Sequence, residues 1–222
     1  LTDKHGTWTG LFTTNLVFLA NKKAMREAGA ERPEVWSDLL TDELRNKIIV
    51  SDPLMRQGGY RILTTLWQLY GEKKFEEYAK NLRLQELAYA VNDNAAIEAV
   101  RKGEKALTIV PLDLAMSAAV ANNNLVVSIP TDGTSRKLIG VAIMDRTKKE
   151  ALSRTFIDYL ISDKAKKVLD NSDYYVWPLT DNKEDYTWGK PYADVFLVHD
   201  DLRWCVLNGE AIIEKLKQAL PR

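Results

Sequence analysis

The stretch Ile48–Leu69, IIVSDPLMRQGGYRILTTLWQL, decides the fold expected for this chain. It opens on three β-branched apolar residues, which predict a buried strand, and passes through a polar turn to a pair of glycines. Apolar residues then recur at helical spacing from Ile62 to Leu69, so a helix is predicted to start close to Gly58 and Gly59. The stretch therefore predicts a strand, a glycine-bearing loop and a helix in sequence.

The junction between this loop and the helix is suited to an anion. The first backbone N–H groups of a helix have no partner within it, and the helix dipole places partial positive charge there. Gly58 and Gly59 would let a ligand approach the backbone closely, and Arg56 offers a planar cation with two prongs. The alternative is an ordinary connection in which the glycines serve only the turn, because the spacing matches neither phosphate-binding fingerprint.

Composition narrows the class of protein. The chain has 222 residues, 45% apolar and 28% charged, with 31 basic and 31 acidic residues, so its net charge is zero. A balanced charge argues against a general binder of nucleic acid or membrane surfaces. Cys205 is the single cysteine and the two histidines are distant, which excludes an intrachain disulfide and argues against a Cys or His metal cluster. The chain opens at Leu1 with no initiating Met, which is typical of the interior of a longer protein.

Catalysis finds no support in these residues. No serine elbow is present, and no base is evident for a nucleophile. We expect no enzyme activity and no cofactor.

Strands alternate with helices along the chain, which predicts an α/β fold with a substantially parallel sheet. Ile48–Val50 and Ala106–Val110 are continuous apolar runs, so we expect them as central strands covered on both faces. Thr7–Ala20 is extended and interrupted by the polar patch Thr13-Thr14-Asn15. A capped helix is expected after Asn92-Asp93-Asn94, which gives a second anion-ready helix start.

Further short segments occur in a characteristic serial order, none of them specific alone. They are Phe18-Leu19-Ala20-Asn21; Pro33, Trp36, Asp38, Leu39 and Leu40; Asn46-Lys47-Ile48; Asp52-Pro53 through Gly59; Gly71-Glu72; Gly103-Glu104; Gly140–Ile143; and Tyr174–Leu179. This order resembles the periplasmic substrate-binding proteins of ABC importers, in the subgroup that binds ferric iron, polyamines, thiamine and 2-aminoethylphosphonate.

The resemblance covers nearly the whole chain, but the chain lacks the βαβ portion that opens the first lobe in that family. It implies an α/β fold of the type 2 periplasmic-binding-protein class, with one complete three-layer lobe and the C-terminal remnant of the other. The implied domains are a hinge-proximal remnant of lobe 1 at 1–14, lobe 2 at 15–138, a lobe 1 remnant at 139–180 and a segment returning to lobe 2 at 181–222. The helix with Leu152, Phe156 and Leu160 would then face water, so we expect either self-association through this incomplete lobe or a rearrangement of residues 140–180.

The resemblance also implies a ligand site. Ferric-iron members place adjacent tyrosines where this chain has Pro111 and Leu112, so ferric coordination of that type is not expected. Asp113 remains there, either as a partner for an ammonium or hydroxyl group or as a helix N-cap. The predicted ligand-binding residues are Trp8, Thr13, Thr14, Ser51, Arg56, Gln57, Gly58, Gly59, Tyr60, Asn92, Asp93 and Asp113.

The implied function is solute binding for an ABC uptake system, with a permease as partner. Helix N-termini and Arg56 favour a small anionic or zwitterionic solute, such as a phosphonate, phosphate ester or carboxylate, in an interlobe cleft. The implied location is the periplasm or the outer face of a membrane, with a lipoprotein-type anchor. The alternative is a ligand-sensing or interaction domain derived from the same fold.

Overall fold

The computed structural model describes residues 6–55, 58–179, 188–189, 192, 195–198 and 201–219. The chain divides into two compact units. Unit 1 comprises residues 1–15 and 136–194, and unit 2 comprises residues 16–135 and 195–222. The boundaries predicted at 14/15 and 138/139 lie close to two of these divisions, while the assignment of the pieces to family lobes stays a prediction.

Strands and helices alternate along most of the described chain. The strands are β1 Trp8–Asn21, β2 Ile48–Ser51, β3 Ala88–Ala90, β4 Leu107–Pro111, β5 Leu125–Ser128, β6 Arg136–Ala142 and β7 Trp177–Pro178. The helices are α1 Lys22–Ala28, α2 Gly58–Leu84, α3 Asp93–Lys102, α4 Leu112–Ala121, α5 Glu150–Leu160, α6 Asp163–Asp170, α7 Leu202–Leu207 and α8 Gly209–Ala219. Short 3-10 turns cover Trp36–Leu40, Asp42–Leu44 and Pro53–Met55.

The sheet of unit 2 has the strand order β3-β2-β4-β1-β5. Strand β2 runs parallel to β3 and β4, whereas β1 runs antiparallel to β4 and β5. The expected central strands are confirmed, since every residue of β2 and β4 is buried. The expectation of a substantially parallel sheet holds only for β3, β2 and β4, because an apolar run records burial and carries no information about strand direction.

Helices cover both faces of this sheet. Side chains alternate along a strand, and Leu16, Phe18 and Ala20 of β1 join one apolar cluster with Ile62 and Leu66 of α2. Helices α3 and α4 pack on β4, and the buried residues of α3 lie outside that cluster, so they cover the opposite face. Three layers result, as expected for a sheet buried on both sides.

Helix α2 is bent at Gly71, which has φ 72° and ψ 167°. Only glycine adopts this conformation readily, and it interrupts the helical path between residues 58–70 and 72–84. The Gly71-Glu72 pair noted in the sequence therefore lies at this bend.

Two residues of the loop after β5, Asp132 and Gly133, hold the segment around Trp36. Asp132 accepts hydrogen bonds from Trp36 N at 3.3 Å and from the Tyr70 hydroxyl at 3.1 Å. The Trp36 indole N–H donates to Gly133 O at 2.8 Å, and the Tyr78 hydroxyl donates to Trp36 O at 2.6 Å. Burial raises the pKa of the Asp132 carboxyl above its ordinary value.

Unit 1 contains the first half of β1, which pairs antiparallel with β6 and β7. Strand β6 is poorly covered, and helix α5 has no buried residue. Leu152 is 64% exposed and Phe156 is 56% exposed, so the predicted exposure of the apolar stripe is confirmed for these two residues, whereas Leu160 is half-buried. A groove of about 870 Å³ runs beside Trp8, Val141 and Ile157.

Candidate functional site

The carboxyl ends of β2, β3 and β4 lie at one edge of the unit 2 sheet, because the three strands are parallel. A helix begins shortly after each of them: α2 at Gly58, α3 at Asp93 and α4 at Leu112. The crevice outside the carboxyl ends of parallel strands is where open α/β sheets bind ligands. This edge is the candidate functional site, and it brings together Ser51, Gly58, Gly59, Asn92, Asp93 and Asp113 from the predicted set.

Ser51 and Asp93 form the centre of this edge. The Ser51 hydroxyl donates a hydrogen bond to Asp93 Oδ1 at 2.6 Å. Ser51 is buried and Asp93 is half-buried, so the pair has one side toward the protein and one toward solvent. The backbone supports this arrangement, since Asp52 N donates to Ala90 O at 2.9 Å and fixes the end of β2 against β3. The pair is therefore preorganised by strand β2, which carries Ser51, and by strand β3, which precedes the helix that carries Asp93.

The two glycines are required by close approach of the protein's own atoms. A Cβ on Gly59 would overlap the carbonyl oxygen of Ser51 and lie 2.8 Å from Pro53 N. A Cβ on Gly58 would overlap the carboxylate of Asp93. The start of α2 is thus in contact with a carboxylate from the neighbouring helix, which stabilises the positive end of the helix dipole. The sequence alone suggested that an external ligand would take this place.

The N-termini of α3 and α4 are capped differently. Asn92 is the N-cap of α3, as predicted, and its side chain accepts from Ala95 N at 2.9 Å. The N-cap interpretation of Asp113 is wrong, because Pro111 caps α4 and Asp113 lies within the first turn. Proline supplies no side-chain acceptor at this position, so the acidic charge in the first turn interacts with the helix dipole instead.

The remaining predicted residues are dispersed. The Tyr60 hydroxyl donates to Cys205 O at 2.8 Å and so ties α2 to α7. Thr13 and Thr14 are buried in β1 within unit 1, and Trp8 lines the groove of that unit. Arg56 and Gln57 lie outside the described residues, so their roles stay predictions.

Sequence reasoning passed over two polar residues. Arg61, in the first turns of α2, is half-buried and donates from Nε to Ser135 Oγ at 3.2 Å, with Thr65 Oγ1 also bonded to Ser135 at 2.7 Å. Asn15 is 1% exposed at the start of the apolar part of β1. The signal for Asn15 in the sequence was its place in a polar patch that interrupts an apolar strand. The sequence of one strand does not show which groups from other elements surround the Asn15 side chain.

The described part of the chain contains neither a candidate metal site nor a candidate membrane-spanning helix. No group of three or more His, Cys, Asp and Glu side chains is placed to hold a metal ion there. None of the described helices combines the length and apolar character needed to cross a bilayer.

Residues 1–196 match the family model of the bacterial extracellular solute-binding proteins. The structure is similar to the periplasmic binding protein P5PA, with a TM-score of 0.77 and 20% identity over 98% of this chain and 70% of that one. It is also similar to AfuA from Actinobacillus pleuropneumoniae with exogenous fructose-6-phosphate bound, with a TM-score of 0.77 and 19% identity over 99% of this chain and 70% of that one. A periplasmic thiamin binding protein has a TM-score of 0.76 and 15% identity over 98% of this chain and 67% of that one.

A curated relative from Haemophilus influenzae, described as an uncharacterized protein, is 24% identical over 157 residues. The match covers 69% of this chain and 44% of the relative, so the chain spans less than half of that protein's length. At these identities the solved structures establish similarity of fold.

Proposed function

Because the chain belongs to the bacterial extracellular solute-binding protein family, we propose that it is the solute-binding part of an ABC uptake system. Its partners in this proposal are a small solute and an ABC permease, and its location is the periplasm or the outer face of a membrane, where it is anchored. At the coarsest level, membership of this family supports a binding role without catalysis. The alternative, a ligand-sensing domain of the same fold, is not favoured. A kinase or transcription-factor domain fused to this chain would be needed to support it.

The observation that carries the proposal is the convergence of Ser51, Asp93 and the start of α2 at the carboxyl edge of the parallel strands. A hydroxyl, a carboxylate and backbone N–H groups at one edge offer both donors and acceptors. A solute can hydrogen-bond to these groups without any change in the sheet.

The charges near this edge favour a small anionic or zwitterionic solute. The N-termini of α2, α3 and α4 and the guanidinium of Arg61 favour an anionic group such as a phosphonate, phosphate ester or carboxylate. The carboxylate of Asp93 favours an ammonium or hydroxyl group on the same solute. That the solute lies in an interlobe cleft stays a prediction of the proposal.

Isothermal titration of the 222-residue chain with 2-aminoethylphosphonate, fructose 6-phosphate and ferric citrate tests the proposal. We expect one of the first two to bind, and we expect no binding of ferric citrate, since Pro111 and Leu112 provide no phenolate. The variants Ser51→Ala and Asp93→Asn should each weaken binding about tenfold or more, because each removes a charge-assisted hydrogen bond. Ser153→Ala is the matched control, because the Ser153 hydroxyl donates to Lys149 O at the start of α5, and it should bind as the wild type does.

Equal affinity of the Ser51 and Asp93 variants and the wild type would contradict the placement of the site. Arg56→Ala is a further arm, because loss of a two-pronged cation should weaken binding of an anionic group. Unchanged affinity in that variant would remove Arg56 from the site and leave the Ser51–Asp93 centre in place.

A further inference from the structure

Arg61 is held through its Nε by a buried serine. That Nε donates a hydrogen bond to Ser135 Oγ at 3.2 Å, and Ser135 is 1% exposed. Arg61 is half-buried and lies in the first turns of α2, which starts at Gly58. A guanidinium is a rigid plane, so a bond at Nε also sets the direction of the two terminal nitrogens. Those nitrogens are the ones that bind a phosphate or carboxylate group with two parallel bonds.

The bond to Ser135 belongs to a closed cycle of hydrogen bonds. Thr65 Oγ1 lies 2.7 Å from Ser135 Oγ and 2.8 Å from Arg61 O. A carbonyl oxygen only accepts, so each hydroxyl hydrogen has an acceptor when Thr65 donates to Arg61 O and Ser135 donates to Thr65 Oγ1. The Ser135 oxygen then accepts from Arg61 Nε. Thr65 is fully buried, and linked hydrogen bonds strengthen one another away from water.

Ser135 is itself fixed by strand β1. Its carbonyl oxygen accepts from Leu16 N at 3.3 Å, and the hydroxyl of the neighbouring Thr134 donates to Leu16 O at 2.8 Å. Thr134 and Ser135 are both buried, and all of these residues belong to unit 2. The place of Ser135 is therefore set by the sheet, and it provides Arg61 with a fixed acceptor.

Arg61 and the candidate functional site share the start of α2. Arg61 follows Gly58 by three residues, so the two lie on the same face of the helix. Gly58 is in close contact with the carboxylate of Asp93, which is bonded to Ser51. The guanidinium and the positive end of the α2 dipole thus lie at one end of one helix.

We propose that Ser135 is a positioning residue, which fixes the plane of the Arg61 guanidinium so that its terminal nitrogens receive the anionic group of the solute. This role rests on the proposed function, and it belongs to a residue that is itself buried. An arginine that is free to rotate loses rotamer freedom when it binds a solute, and that loss lowers the affinity. A guanidinium already held through Nε has lost part of this freedom on folding, so more of its interaction with the solute appears as affinity.

The experiment compares Ser135→Ala with Ser128→Ala in the full 222-residue chain. Ser128 is the matched control, because it is also a buried serine whose hydroxyl joins distant segments, by donating to Pro33 O at 2.8 Å. The Tm is measured without solute, and the Kd is measured by isothermal titration for 2-aminoethylphosphonate and fructose 6-phosphate. Both variants should lower the Tm by similar amounts, since each removes one buried hydrogen bond. Only Ser135→Ala should raise the Kd, by about fivefold.

A double-mutant cycle separates positioning from direct contact. Arg61→Met removes the guanidinium and should raise the Kd by more than Ser135→Ala does. In the double variant Ser135 has no guanidinium to position, so the Kd should equal that of Arg61→Met alone. The nitrogen-15 resonance of Arg61 Nε gives a readout without solute. Its proton should exchange slowly with water in the wild type and rapidly in Ser135→Ala.

Four results would overturn the positioning role. The first is an unchanged Kd in Ser135→Ala, and the second is a Kd in the double variant at which the two single effects add. The third is rapid exchange of the Arg61 Nε proton in the wild type, because the guanidinium would then not be held. The fourth is an equal rise in Kd for Ser128→Ala, which would assign the effect to a general loss of stability.

The same measurements distinguish failure of this role from failure of the proposed function. If the wild type binds neither probe, the anionic class of the proposed solute is contradicted, and the positioning role is contradicted with it. If Arg61→Met weakens binding while Ser135→Ala does not, the proposed function stands and the positioning role alone is refuted.

Discussion

Gly59 lies so close to the carbonyl oxygen of Ser51 that no side chain fits between helix α2 and the end of strand β2. We therefore expect Gly59→Ala to lower the free energy of unfolding by about 3 kcal/mol or more, because the overlap is with backbone and the strand end must shift. Urea denaturation of the variant measures this loss.

Gly58→Ala is the matched comparison. A Cβ there would overlap only the side chain of Asp93, which can rotate away at the expense of its hydrogen bond to Ser51. We expect a smaller loss of about 1 kcal/mol, offset in part by the better helix propensity of alanine. Equal losses in the two variants would mean that the end of β2 yields as easily as the Asp93 side chain.

Lys215 attaches α8 to α2. Its ammonium donates to Glu76 Oε1 at 2.7 Å and to Glu72, and it lies 5.2 Å from the centre of the Trp67 ring. The hydrogen bond and charge of Lys215 lower the pKa of Glu76 below its ordinary value of 4.5. The resulting contribution to stability is present above pH 4.5 and is lost as the pH falls through the folded-state pKa. The pKa of Lys215 is raised above its ordinary value of 10.5, so its contribution to stability is fully present below pH 10.5 and is lost only as the pH rises through the raised pKa. It therefore does not vary across the acidic window.

Lys215→Met should therefore lower the Tm at pH 7 and have a smaller effect at pH 3. Thermal unfolding followed across this range gives the difference. Arg154→Met is the control, because its exposed bond to Glu150, 2.7 Å long, links residues within one helix. A pH-independent Tm difference for Lys215→Met would mean that the methylene chain over Trp67, and not the charge, provides the attachment.

Asp132 holds two separate segments together, since it accepts from Trp36 N and from the Tyr70 hydroxyl. Asp132→Ala should lower the free energy of unfolding by about 1–3 kcal/mol, because it leaves these donors without a partner in a partly buried place. The nearby Thr131→Ala, which removes an exposed hydrogen bond to Glu34 O, should cost less. The urea midpoints of the two variants show which one loses more stability. A larger loss in Thr131→Ala than in Asp132→Ala would contradict the assigned role of Asp132.

The exposed stripe of α5 predicts self-association. Leu152 and Phe156 lie on an open helix face, and contiguous apolar surface of this kind marks an interaction site. Light scattering of the chain in dilute solution should give a mass above the 25.2 kDa of one copy. Changing both residues to serine should return it to one copy, whereas Val206→Ser, on the exposed face of α7, should not. A wild type that remains a single copy would contradict the prediction.

Local signals in the sequence predicted the elements well. Asn92 caps α3 and Gly103 ends it in a left-handed conformation, because both functions depend on residues within one turn. The apolar runs of β2 and β4 predicted their burial for the same local reason. The direction of β1 was not predictable from its own residues, since pairing with β4 joins positions 87 to 95 residues apart in the chain.

The sequence predicted which residues form the candidate site better than it predicted how those residues contact one another. Ser51, Gly58, Gly59 and Asp93 were all named, but the bond from Ser51 to Asp93 links two different strand–helix connections. That contact depends on the pairing of β2 with β3, and no spacing within either segment contains it.

The early position of β1 has a consequence for synthesis of the chain. Its partners β4, β5, β6 and β7 all come from residue 107 onward, so β1 leaves the ribosome long before any strand that can pair with it. Contacts of such sequence separation form slowly, and an apolar strand with two open edges is prone to pair with other nascent chains. The polar patch Thr13-Thr14-Asn15 interrupts the apolar run of that strand, and it thereby shortens the segment most prone to aggregate while the rest of the protein is being made.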